Sequence, residues 1–185
     1  MSTADQIRED LQYVKGAVQR ERRGHMPRGI AVVWAVFVLI GFAGLDVRPA
    51  WAGIFLLLGG PVAYLISSKI GAGAALSAGI SDRADMRRHM LHWGSLFFAI
   101  VALLVLALEG RVSGQTFGQV ILIMTGLVHF LAGVHFEMHL FRWLGPLMMG
   151  GAVALTYIDR WGWTVMGVLV AAGIMAGSFV GRRDV

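Results

Sequence analysis

The sequence predicts an all-α polytopic membrane protein: a six-transmembrane-helix bundle with an N-terminal cytoplasmic amphipathic helix and both termini inside (N-in/C-in). Three observations carry this. Apolar stretches alternate with polar breaks, read as spans at about 29–47, 51–70, 92–109, 116–136, 140–158 and 162–180. Each approaches the roughly 20 residues that cross a hydrocarbon core of about 30 Å. The basic residues fall on alternate breaks, and the tryptophans fall at the ends of spans.

The charge sorting is one-sided. Arg8, Lys15, Arg20, Arg22, Arg23, Arg28, Lys69, Arg83, Arg87, Arg88, Arg142, Arg182 and Arg183 lie on one side; Arg48, Arg111 and Arg160 lie on the other. Basic residues are retained in the cytoplasm, so this pattern predicts a multi-pass protein of the inner (plasma) membrane with cytoplasmic termini. Trp51, Trp161 and Trp163 mark the outer span ends, and Trp34, Trp93 and Trp143 the inner ones. These form an aromatic belt on each side.

Composition agrees. Of the 185 residues, 57% are apolar and 15% charged, with 25 glycines, a residue that membrane helices favour. The spans leave room for two units: 1–28, cytoplasmic or interfacial, and 29–185, the membrane domain. The net charge of +5 follows from topology and points to the anionic inner leaflet rather than to nucleic acid. The absence of cysteine excludes disulfides, thiolate metal sites and cysteine nucleophiles.

Residues 3–23 read as an amphipathic helix. Thr3 can cap it and Asp5 suits its first turn. Ile7, Leu11, Val14 and Val18 form one stripe, with Arg8, Lys15, Arg20, Arg22 and Arg23 on the other faces. Such a helix either lies on the membrane surface or docks a cytoplasmic partner. The head carries Asp5, Glu9, Asp10 and Glu21, which favours an uncleaved first span over a signal peptide.

Span 2 contains Gly59-Gly60-Pro61, and span 5 contains Gly145-Pro146 and Gly150-Gly151. Prolines kink helices, and broken helices at corresponding places of two inverted halves mark some transporters. Ordinary proline kinks are the simpler reading. Span 6 carries Gly173, Gly177 and Gly181, a spacing that lets two backbones approach, either within the chain or across a homodimer.

All the histidines fall on the predicted cytoplasmic side. His89 and His92 open span 3; His129, His135 and His139 lie in and below span 4. Asp82, Asp85, His89 and His92 follow helical spacing, as do His135 and His139. Spans 3 and 4 share a short loop and are expected to pack antiparallel. His89, His92, His135 and His139, with Asp85, then become candidate ligands for zinc or another divalent transition metal. His92 and His129 are alternative axial ligands for haem. Solvated histidines at helix ends are the competing explanation, and His129, deeper in its span, needs a partner in any case.

His135-Phe136-Glu137-Met138-His139 is not the H-E-x-x-H pattern, because Glu137 points away from both histidines on a helix. Nucleophile elbows, phosphate loops and deep carboxylate pairs are also missing from the sequence, so enzyme activity is the least supported class. Asp46, Glu109 and Asp159 lie beside Arg48, Arg111 and Arg160, which suggests interfacial ion pairs.

In length and topology the plan resembles the substrate-binding subunits of energy-coupling-factor vitamin transporters. The small-residue docking motif of those subunits is not evident in Trp34–Gly44, and the chain is not assigned to that family. Three function classes follow. The first is a membrane protein whose histidine-rich cytoplasmic face binds a metal or haem for sensing or transport. The second is a substrate-binding transporter component with a cavity between spans 2 and 5. The third is a non-catalytic regulatory or assembly protein acting through its N-terminal helix.

Overall fold

The computed structural model describes residues 5–11, 13–14, 26–77, 83–136, 138–158 and 160–180, with backbone only at 74–77, 83–86 and 180. Its regular secondary structure in these segments is helical, joined by short turns. In lipid a helix satisfies every backbone polar group within its own segment. The main helices are α1 (Arg28–Val47), α2 (Pro49–Ser77), α3 (Arg83–Leu108), α4 (Gly114–His135), α5 (His139–Ala154) and α6 (Gly162–Val180). Residues 5–11 and 13–14 are also helical.

Five of the helices, α1 to α4 and α6, are long and apolar enough to cross a membrane. Helix α3 makes the physical case. No residue of its apolar window is buried, yet it exposes Leu91, Phe97, Phe98 and Leu108. An apolar helical window with no residue buried by protein fits a hydrocarbon solvent. Helix α5 is the exception, with 16 residues. Its last turn tightens into Thr156 N–H to Val153 and Tyr157 N–H to Ala154 bonds, so regular helix stops short of the predicted end at Ile158. Helices α2 and α3 run past their predicted inner boundaries, to Ser77 and back to Arg83.

Small residues set the packing. Along α1 and α2, Gly44 faces Ala52, Gly59 faces Phe37 and Gly29 faces Ile70, an antiparallel register. Helices α5 and α6 pair antiparallel through Gly162 on Leu155 and Gly173 on Leu144. Helix α6 returns along α1, with Gly167 against Phe42 and Trp163 edge-on to Phe42 at 5.6 Å. At the far end the Arg28 guanidinium lies 4.9 Å over the Phe179 ring. The start of α1 and the end of α6 therefore share one end of the bundle.

The helices thus form an open row, α2–α1–α6–α5–α4–α3, in which α3 packs along α4 and, among the described residues, reaches α5 through the rings of Trp93 and Phe141. The core lies mid-row, where Leu122, Phe141, Leu144, Met148, Ala152, Met166, Val170 and Ile174 bury one another. Pro61 and Pro146 sit inside continuous helices. Among the described residues their helices α2 and α5 do not meet, because α1 and α6 stand between them. Gly173 and Gly177 face Leu144 and Leu140 of the same chain, so these two stripe positions are occupied internally. Gly181 lies outside the described residues.

Candidate functional site

The α4–α5 seam is the most extensive pairing in the fold, and it builds the floor of the site. Gly126 and Gly145 bring the two backbones together: a Cβ on Gly145 would lie 2.5 Å from the Gly126 oxygen. Lower down, a Cβ on Gly133 would lie 2.5 Å from the Arg142 nitrogen. The Arg142 guanidinium donates from Nε to the Gly133 carbonyl at 2.8 Å, satisfying a carbonyl in the last turn of α4. Gln119 ties the opposite end, donating to the Ala152 carbonyl and the Thr156 hydroxyl, both at 3.1 Å.

Onto this seam α3 lays His89, His92 and Trp93. The His89 ring stacks on Phe136 with centroids 4.0 Å apart, and His92 meets the same ring edge-on at 5.3 Å. Trp93 is edge-on to His129 at 5.1 Å and to Phe141 at 6.2 Å. Phe141 in turn meets His129 at 4.9 Å. The His92 and His135 rings are 6.5 Å apart and nearly perpendicular. Edge-to-face aromatic contacts of this kind are worth about 0.5–1.5 kcal/mol each beyond area burial.

Two hydrogen bonds fix the imidazole tautomers. His92 Nε2 is 3.0 Å from the Val128 carbonyl, and His129 Nδ1 is 2.8 Å from the Thr125 carbonyl. A carbonyl can only accept, so each of these nitrogens donates. The remaining lone pairs are then on Nδ1 of His92 and Nε2 of His129. Metal-ligating histidines are commonly oriented in this way, with one ring N–H held by a carbonyl.

The expected ligand set is brought together only in part. His92 and His135 approach each other, and His89 joins them through Phe136. His139 is exposed at the start of α5. Asp85 lies in the backbone-only part of α3, and Asp82 and Glu137 are outside the described residues. Among the described residues no three His, Asp or Glu side chains converge as a metal site. A haem bound through the Nε2 atoms of His92 and His129 would have to displace the Val128 carbonyl.

Trp93, Phe136 and Phe141 complete the cluster and were not among the sequence candidates. A signal was available for two of them, since His92-Trp93 and His135-Phe136 each set an aromatic directly beside a histidine; Phe141 had none. The tryptophans divide accordingly. Trp51 and Trp143 are exposed, as a belt requires, whereas Trp93 packs into the cluster and Trp163 onto Gly118.

At the opposite end, Asp46 departs from the expected pairing with Arg48. Its Oδ2 accepts from the Thr164 backbone N–H and hydroxyl, both at 2.7 Å. A first-turn N–H of α6 has no partner inside its helix, and the carboxylate at the end of α1 supplies one. An open recess of about 290 Å³ beside it is lined by Asp46, Val47, Arg160 and Trp161. Glu109 and Arg111 do pair, at 3.6 Å with both side chains mostly exposed.

The chain matches no protein-family model, no curated protein and no solved structure.

Proposed function

We propose that the protein is a six-crossing membrane sensor whose imidazole junction captures a divalent transition-metal ion, zinc first among them, and reports the capture through α3. The observation that carries this reading is the pair of fixed tautomers, which leaves lone pairs on His92 Nδ1 and His129 Nε2, with the His135 ring 6.5 Å from that of His92. Neutral imidazole with its other nitrogen anchored is the ligand that borderline metals take.

The rings stand near one another without converging, and zinc needs nitrogens at about 2.0–2.1 Å. Capture therefore requires movement. Helix α3 is the element able to move, since it stands at the end of the row, packed along α4 and touching α5 through Trp93 on Phe141. Binding energy spent on drawing His92 toward His135 becomes a displacement of α3, which is how a ligand shifts a two-state element.

The sixth crossing is α5. Its 16 residues span about 24 Å at roughly 1.5 Å per residue. It runs antiparallel along α4, from Arg142 beside Gly133 to Ala152 beside Gln119, so it returns through the depth that α4 crosses. The charge asymmetry then assigns the histidine end to the cytoplasm.

Purified protein in lipid nanodiscs, equilibrated with zinc and washed, provides the test. The expected result is one retained ion per chain. Spin labels on Phe98→Cys and Val153→Cys, in this cysteine-free chain, should report a changed α3–α5 distance on zinc addition. His135→Ala, at an exposed ring, should lower zinc affinity at least tenfold with the fold intact. Zinc retention unchanged in His135→Ala, or no retention in the unaltered protein, overturns the reading.

A further inference from the structure

The N-terminal helix has a face that nothing in the bundle covers. Ile7, Leu11 and Val14 are 56%, 55% and 55% exposed, and they fall on one stripe at spacings of four and three. At roughly 100° per residue, Asp5 and Glu9 lie on the opposite side of the helix, with Arg8 and Asp10 on the flanks of the stripe. Residues 5–11 and 13–14 are all exposed. An isolated helix this short is marginal in water, so its stability has to come from whatever its apolar stripe meets.

We propose that this helix lies in the plane of the inner leaflet, with Ile7, Leu11 and Val14 in the acyl boundary and its occupant an anionic lipid surface. Two features select lipid over a protein partner. The first is tethering: α1 enters the membrane at Arg28, 14 residues beyond Val14, so at about 3.3 Å per extended residue the helix cannot leave the leaflet by more than about 46 Å. The second is charge. Between Val14 and α1 the sequence carries Lys15, Arg20, Arg22, Arg23 and then Arg28 against Glu21 alone. Each basic residue near an anionic leaflet contributes about 1 kcal/mol. The acids Asp5, Glu9 and Asp10 sit in the preceding part of the helix, where Asp5 and Glu9 face away from the stripe and toward water.

The full-length protein, which contains no cysteine, is labelled with a nitroxide at Leu11→Cys or, on the opposite face, at Glu9→Cys. It is reconstituted in nanodiscs of phosphatidylcholine alone or with 30 mol% phosphatidylglycerol. The label at 11 should be oxygen-accessible and shielded from a water-soluble nickel chelate, at a depth of about 5–10 Å; the label at 9 should show the reverse. Removing phosphatidylglycerol, or replacing Lys15, Arg20, Arg22 and Arg23 by glutamine, should raise chelate access at position 11 several-fold. Equal aqueous exposure of both positions in the anionic nanodisc overturns the proposal. So does protection at 11 that is indifferent to lipid charge and to the four substitutions. Size-exclusion and circular dichroism of each labelled protein confirm that the bundle is folded.

Discussion

Gly145→Ala tests the seam on which the site rests. The added methyl would sit 2.5 Å from the Gly126 oxygen and 2.7 Å from both N and Cβ of Phe130. Ordinary contact begins near 3.4 Å, so α4 and α5 must part by about 0.9 Å. The obstructing atoms are mainly backbone and cannot rotate away. Overpacking of this kind costs about 1–3 kcal/mol, while alanine regains about 1 kcal/mol of helix propensity over glycine. The net expectation is a loss of up to about 2 kcal/mol. Gly150, in the same helix, is the internal control: a Cβ there meets nothing within 4 Å. Gly150→Ala should keep the propensity gain and stabilise by up to about 1 kcal/mol. Unfolding in mixed micelles titrated with a denaturing detergent, followed by circular dichroism, measures both variants. If their stabilities agree to within about 0.5 kcal/mol, the close backbone approach is not what holds the seam and the argument fails.

Asp46→Ala removes the acceptor for the Thr164 N–H and hydroxyl and should cost about 1–3 kcal/mol by the same assay; Asp46→Asn, which keeps an acceptor oxygen, should cost less. Gly177→Leu collides with Leu140 within the chain, so thermal stability should fall while the detergent-solubilised oligomeric state stays as it was. Glu109→Gln should change stability by less than about 0.5 kcal/mol, since its arginine pair is exposed. A reporter fused after Val185 should be active in the cytoplasm and one inserted at Gly114 should behave as external; the reverse pattern would move the histidine cluster to the outer face and remove the cytoplasmic reading of the site.

Helical identity and most helix boundaries were legible because they depend on local quantities. The run of apolar residues fixes where a helix can sit in lipid, and α1, α4 and α6 begin and end within two residues of the stretches read from sequence. Helix α5 was less legible, because a span of apolar residues says nothing about where a last turn tightens. The histidines were legible as a group by their periodicity, yet which of them meet was not. His92 finds Val128 and His135, Phe136 intervenes between His89 and His92, and His139 is left exposed. Those outcomes depend on the rotation and offset of α3 against α4, which no single helix encodes.

The sequence by itself determined an all-helical chain with spans suited to lipid, an amphipathic N-terminal helix and histidines gathered toward one end, because hydrophobicity and helical period are properties of neighbours along the chain. Only the tertiary structure decided that the row runs α2–α1–α6–α5–α4–α3, that Asp46 reaches Thr164 across 118 residues, and that Gly173 and Gly177 of α6 are used within the chain. These depend on which small residues let two backbones touch. Glycines are spread through several of the helices, and it is the complementary shape of a distant segment that selects between them.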